Sequence, residues 1–218
     1  MRTLITGASR GIGLELAQQM DARGDDVIAT TRGAMPDDDI DWRTLDVTDD
    51  VQLRMLAASI NDPIDLLICN AGILRDKGQV LEDGFPAAQW AETFAVNATG
   101  VFLTVQAFLA NLRQAKAPKI AIISSQMGSS TRANGGSYMY RSSKAAAVNI
   151  GRNLATDLAG DAIAVGIYHP GWVQTDMGGP TADLVAAEAA AGLIQRFDTL
   201  CMATTGCFET WDGRAHAL

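Results

Sequence analysis

Positive charge is sparse in this chain: 17 Lys and Arg are set against 25 Asp and Glu, a net charge of −8. Nucleic-acid binding rests on clustered basic side chains, and none cluster here, so no nucleic-acid partner is expected. An anionic ligand has to be held by a few local cations and by backbone dipoles. Cysteine is nearly absent. Cys69, Cys201 and Cys207 are odd in number and lack metal-ligand spacing, which argues against a disulfide framework and predicts no metal site. Cys69 sits in the apolar run Leu66-Leu67-Ile68-Cys69 and reads as a small core residue. A reducing, cytoplasmic location is expected. No apolar run reads as long enough to cross a bilayer, and Arg2–Thr6 opens as a strand rather than as a secretion signal, so no membrane partner is expected.

What is present is a globular composition, 48% apolar and 19% charged, with strand-like runs alternating with helical stretches. Leu4–Thr6 and Val27–Thr31 flank a segment in which Ile12, Leu16 and Met20 recur every four residues. Trp42–Val47 reads as the third strand. Thr48-Asp49 offers an N-cap for a helix through Ile60, and Ile64–Cys69 is the fourth strand. A loop over Ile73–Pro86 precedes a long helical stretch from Ala87 to Gln114. Lys119–Ser124, the helix Tyr138–Leu158, Ile163–Tyr168, an alanine-rich helix over Asp183–Arg196 and a short strand Gly206–Thr210 follow. The expected fold is α/β: one doubly wound Rossmann domain over residues 1–218, with a parallel sheet of about seven strands and helices on both faces. Ligands bind such sheets at the carboxyl ends of the strands.

The first strand runs into Thr6-Gly7-Ala8-Ser9-Arg10-Gly11-Ile12-Gly13, which opens the first helix. Glycines in this place let backbone N–H groups approach a pyrophosphate, whose charge also suits a helix N-terminus. The same glycines would also suit plain tight packing, the lesser reading. Their spacing, G-x-x-x-G-x-G, is looser than the common G-x-G-x-x-G.

From this point the sequence resembles the short-chain dehydrogenase/reductase family, and successive elements agree in order along essentially the whole chain. Leu45-Asp46-Val47 looks like the family's adenine-contacting segment, Asn70-Ala71-Gly72 like its Asn-Ala-Gly element, and Asn97 like its active-site asparagine. Ser124-Ser125, Tyr140 with Lys144, and Pro170-Gly171 complete the series. The resemblance implies cofactor contacts from Gly7, Ser9, Arg10, Gly11, Ile12, Gly13, Asp46, Val47, Asn70, Ala71, Gly72, Tyr140, Lys144, Pro170, Gly171, Val173 and Thr175. It also implies that Lys144 holds the nicotinamide ribose, with Asn97 supporting a water relay behind it.

The end of the second strand, Thr31-Arg32-Gly33, lacks an acid that would bind a free ribose 2′-hydroxyl. Arg32, with Arg10 adding a second charge, suits a 2′-phosphate through bidentate bonds. The expected cofactor is therefore NADP, with NAD disfavoured. Read singly, either arginine would pass for an ordinary solvated group.

Tyr140 and Lys144 lie four positions apart on a helix and so share one face. A nearby ammonium and an oxidised nicotinamide are expected to lower the phenol pKa, fitting Tyr140 for general acid/base work on a carbonyl or alcohol. Alone, a Tyr-x-x-x-Lys pair is usually a pair of surface neighbours. Ser125 is the expected substrate-oxygen ligand, with Ser124 as the alternative. The fifteen positions from Ser125 to Tyr140 exceed the family's usual spacing, and the glycines of Gln126–Ser137 would absorb the extra residues in a loop. Tyr138 has Ser142 rather than lysine four positions on, which marks it as a packing or pocket-wall residue. His169 reads as structural.

Gly178–Asp183 would form a short lid. The Ser125–Ser137 segment is similar to the family subgroup holding C-factor signalling proteins and sniffer carbonyl reductases. Two functions follow: a reductase acting on a small carbonyl or alcohol substrate, or an NADP-binding signalling protein with incidental turnover. Family resemblance also implies a homodimer or homotetramer through the two long helices.

Overall fold

Each short apolar run forms a strand, and neighbouring side chains on it enter opposite layers. Leu66 and Ile68 of β4 (Leu66–Cys69) pack with Leu16, Met20 and Phe197 on one face. Leu67 and Cys69 pack with Leu53, Val105 and Phe108 on the other. This period-two partition makes every position of a central strand apolar, because both faces are covered. The computed structural model describes residues 1–217.

The remaining strands are β1 (Arg2–Ile5), β2 (Asp26–Thr31), β3 (Asp41–Thr44), β5 (Lys119–Ile123), β6 (Ala164–His169), β7 (Val173–Gln174), β8 (Leu184–Val185) and β9 (Cys207–Thr210). Seven of the nine build one sheet in the order β3-β2-β1-β4-β5-β6-β9, every pairing parallel. Helices α1 (Gly11–Ala22) and α6 (Ala186–Thr199) cover one face. Helices α2 (Asp50–Ser59), α4 (Gly100–Leu112) and α5 (Tyr138–Asp157) cover the other. The expected doubly wound sheet is therefore found. Strand order reverses between β1 and β4, which opens a crevice at their carboxyl ends.

The details depart from expectation at four places. The third strand stops at Thr44 rather than Val47, because the Asp46 carboxylate accepts from the N–H and hydroxyl of Thr48 and turns the chain. Asp49 then caps α2, accepting from the N–H groups of Val51 and Gln52 at 3.0 Å each. The long helix is not uniform: α3 (Ala87–Phe94) passes through a π-helical turn, Ala95–Thr99, into α4. Such turns often sit at functional positions, and this one carries Asn97. The chain after β6 holds a small parallel pair, β7 with β8, that flanks Gly178–Asp183.

A fourth difference concerns membranes. The continuous stretch Ala87–Leu112 is long and apolar enough to cross one, contrary to the sequence reading. Its apolarity has a different cause here: Val101, Val105, Phe108 and Leu112 are buried in the core beneath the sheet.

Candidate active site

The crevice at the β1/β4 switch is a cavity of about 490 Å³, and the glycine-rich loop forms its floor. Gly7, at φ +67°, crosses so close to β4 that a Cβ there would lie 2.8 Å from the Ala71 Cα. A Cβ on Gly13 would run into the Gly7 carbonyl oxygen and come within 2.5 Å of Asn70 Nδ2. The absence of side chains is thus used to knit the loop to β4. Asn70 Nδ2 donates to the carbonyls of Thr6 (3.1 Å) and Gly7 (2.9 Å), and Thr6 Oγ1 accepts from the N–H of Asn70 and Ala71. Ser9, Arg10, Gly11, Ile12, Ala71 and Gly72 complete this part of the lining.

At the β2 end, Arg32, Asp46 and Val47 line the cleft together. Arg32 stands 3.5 Å from the Asp46 carboxylate. Partial burial works against ionising that carboxyl, yet the Thr48 bonds and Arg32 hold it below the usual carboxylate range. Arg10, across the loop, is engaged elsewhere: its guanidinium pairs with Asp176 at 2.5 Å, both side chains more than 70% exposed.

Tyr140 and Lys144 occupy adjacent turns of α5, buried but both lining the cleft. The fold's own groups push the Tyr140 pKa up to about 12, whereas the lowering expected from sequence also calls on an oxidised nicotinamide. Burial is the main cause, the Ser125 hydroxyl pulls the other way, and the Asp76 charge adds to the rise. Lys144 Nζ donates to the Ile123 carbonyl at 2.9 Å, and burial drops its pKa to about 8. Its ammonium lies 5.8 Å from the Tyr140 ring centre.

The two serines separate as the pleat requires. Ser124 Oγ donates to the Lys144 carbonyl (2.9 Å) and is held by backbone. The Ser125 hydroxyl pulls the Tyr140 pKa down and its Oγ accepts from Met127 N–H, while Ser124 is the serine that borders the cleft. The extra residues before Tyr140 are taken up by two 3₁₀ turns, Gln126–Gly128 and Ser130–Arg132. Gly128 presses onto α5, where a Cβ would meet the Lys144 carbonyl carbon at 2.7 Å. Tyr138 is exposed and stacks edge-on against Phe85.

Asn97 is fully buried behind this group. Its Oδ1 accepts from Ile73 N–H, and its Nδ2 donates to the Ile73 carbonyl and to Ser143 Oγ. Gly72 lies close to both it and the lysine: a Cβ there would lie 3.2 Å from Lys144 Nζ and 3.4 Å from Asn97 Oδ1.

Pro170 and Thr175 line the far wall. Gly171 (φ +90°) packs against Trp211, and Val173 is buried on β7, so neither side lines the cleft. His169 is buried with Nδ1 unpartnered, and burial lowers its pKa to about 4, in line with a structural role. Thr31, Gln174, Asp176 and Met177 also line the cleft and were missed from sequence. Thr31 was findable, as the last residue of β2. The other three depend on how β7 and β8 fold the chain back over the glycine-rich loop.

The chain is 38% identical to the C-signal of Myxococcus xanthus over 163 residues, 74% of this chain and 97% of that protein. Its structure resembles the NADPH-bound carbonyl reductase from chicken fatty liver, with 30% identity and a TM-score of 0.89 over 100% of this chain and 98% of that one. It also resembles the carbonyl reductase Sniffer of D. melanogaster, with 27% identity and a TM-score of 0.92 over 100% and 99% of the two chains. The short chain dehydrogenase family model matches residues 2–184. With that match over most of its length, and with the sheet order and cleft just described, the chain belongs to the short-chain dehydrogenase family of oxidoreductases.

Proposed function

We propose that this protein is an NADP-dependent oxidoreductase that interconverts a small carbonyl compound and its alcohol, with Tyr140 as general acid and base. One observation carries the reading: a phenol and an ammonium one helical turn apart line the same cleft as a glycine-rich loop at a sheet switch point.

The residues fit a dinucleotide. The glycine-rich loop lines the cleft where α1 begins, and backbone N–H groups at such a helix start would meet a diphosphate. Arg32, with no acid at the end of β2, suits a ribose 2′-phosphate, and Arg10 adds a second guanidinium within the lining. The NADPH bound to the chicken relative supports the same choice. Lys144 would hold the nicotinamide ribose, and Pro170 and Thr175 would bound the ring. The nicotinamide, when bound, supplies or accepts the hydride.

The chain's own residues handle the proton. In reduction, Tyr140 Oη–H donates to the substrate carbonyl oxygen, and Ser125 Oγ–H steadies that oxygen as negative charge builds on it. Burial keeps the phenol protonated until that charge appears. Lys144, a cation at neutral pH, then favours the phenolate that remains. In oxidation the same groups run in reverse, Tyr140 taking the alcohol proton. Asn97 fixes the Ile73 backbone and Ser143 beside this group.

NADPH consumption with a panel of aldehydes, ketones and quinones tests the reading. The identity to C-signal supports a second one, an NADP-binding signalling protein. Tight NADPH binding with no turnover on any of these compounds favours that alternative.

A further inference from the structure

The catalytic helix lacks a cap of its own. Ser137, just before α5, sits in the left-handed region (φ 44°, ψ 46°) and makes no side-chain bond to the first turn. The service comes from a loop 63 residues away: Asp76 Oδ2 accepts from the N–H of Met139 at 2.7 Å and of Tyr140 at 3.3 Å. These are the second and third helical N–H groups, the ones an N-cap side chain normally satisfies.

Asp76 is fully buried, and its second oxygen, Oδ1, has no partner among the described residues. None of the ion pairs among those residues includes it. A buried carboxylate with one bare oxygen is costly, and the two N–H groups it accepts from offset only part of that cost. The loop that carries it is pinned on both sides. Arg75 forms a two-pronged pair with Glu92 on α3, and Lys77 Nζ donates to the Met177 carbonyl at the cleft wall at 3.4 Å.

We propose that Asp76 is a positioning residue for the reaction: its carboxylate stands in for the missing cap of α5, fixes Tyr140 at the cleft and sets the charge the phenol feels. This rests on the reading of Tyr140 as the acid. Asp76 opposes the phenolate, and so works with burial to keep the proton on Tyr140 until the substrate oxygen takes it. The other groups facing the phenol are Lys144 from the next turn and Ser125 from the end of β5. On the remaining elements packed against α5, Glu92 is bound to Arg75, Asn97 is uncharged, and His169 is neutral at pH 7.

The test compares Asp76→Asn with Asp76→Ala in the full chain, reading kcat/KM for carbonyl reduction against pH alongside thermal unfolding. Asparagine keeps an acceptor oxygen for the helix and removes the charge. We expect D76N to move the basic limb of the profile to lower pH by about one unit, with kcat changed more than the NADPH KM. D76A should add at least a tenfold loss in kcat. If D76A does not fold, the D76N profile decides alone, together with an ultraviolet titration of the phenol read against Tyr140→Phe. A D76N profile that superimposes on the wild type, while Tyr140→Phe is inactive, overturns the inference and leaves the function intact. Retained turnover in Tyr140→Phe overturns the reading of Tyr140 and the inference with it.

Discussion

Lys144 Nζ donates to the Ile123 carbonyl at the end of β5 while lying 5.8 Å from the centre of the Tyr140 ring. The strand thus holds the cation at a fixed height beneath the phenol. Burial without a carboxylate partner is what lowers its pKa to about 8, so the folded chain bears a cost for keeping it charged.

That cost has a sign and a window. Between the folded pKa of about 8 and the ordinary lysine value of 10.5, the unfolded chain holds a proton that the folded chain does not, so stability rises with pH. The gain is lost as pH falls through 8. Relative to wild type, Lys144→Met should therefore look most stable below pH 8, and its advantage should shrink toward pH 10.5. Chemical unfolding of both proteins without cofactor at pH 7 and pH 9.5 checks this; a difference independent of pH would refute it.

Arg32 faces the cleft at the end of β2, its one ion pair among the described residues being the 3.5 Å contact to Asp46. Replacing it with aspartate removes the cation and supplies an acid suited to a free 2′-hydroxyl. We expect Arg32→Asp to weaken NADPH by at least about tenfold relative to NADH, the scale of a lost charge-assisted pair. Fluorescence titration with both nucleotides reads the ratio, and unchanged selectivity contradicts the NADP assignment.

Arg10 and Asp176 are both largely exposed, so their pair adds little to stability. It does compete for a guanidinium that a phosphate would use. Asp176→Asn should leave Tm nearly unchanged and tighten NADPH binding by about two- to threefold at low salt. Calorimetric titration at two ionic strengths checks it, and the gain should fade as salt rises.

Gly13 has no room for a side chain between the Gly7 carbonyl and Asn70 Nδ2. Gly13→Ala should destabilise by about 2 kcal/mol, as overpacking does, and lower Tm by about 4–8 °C for a chain of this size. It should also weaken nucleotide binding, because the loop and β4 separate at the cradle. Unfolding curves with and without NADPH measure both effects.

The sheet was readable in advance because its cause is local: runs such as Leu66–Cys69 and Ile120–Ile123 are apolar at consecutive positions, which only a strand covered on both faces requires. The Tyr140–Lys144 face was readable from the helical repeat. What escaped the sequence depends on distant contacts. Two-residue strands such as β7 and β8 have no periodicity to detect, so Asp176 and Met177 could not be placed over the glycine-rich loop. The π-helical turn leaves no local pattern in Ala95–Thr99. The rise in the Tyr140 pKa comes from burial and from Asp76, 64 residues away in the chain. A helical spacing predicted only the lysine.

The most direct measurement is NADPH oxidation by Tyr140→Phe with a carbonyl substrate the wild type reduces, run beside Tyr138→Phe and with nucleotide affinity measured on each. Phenylalanine keeps the buried ring and removes only the proton donor. We expect turnover to fall at least about a thousandfold in Tyr140→Phe, within the usual span of general acid catalysis, with NADPH affinity within a few fold of wild type, while Tyr138→Phe stays active. A Tyr140→Phe protein that reduces the substrate at the wild-type rate would contradict the assignment of the proton to this phenol.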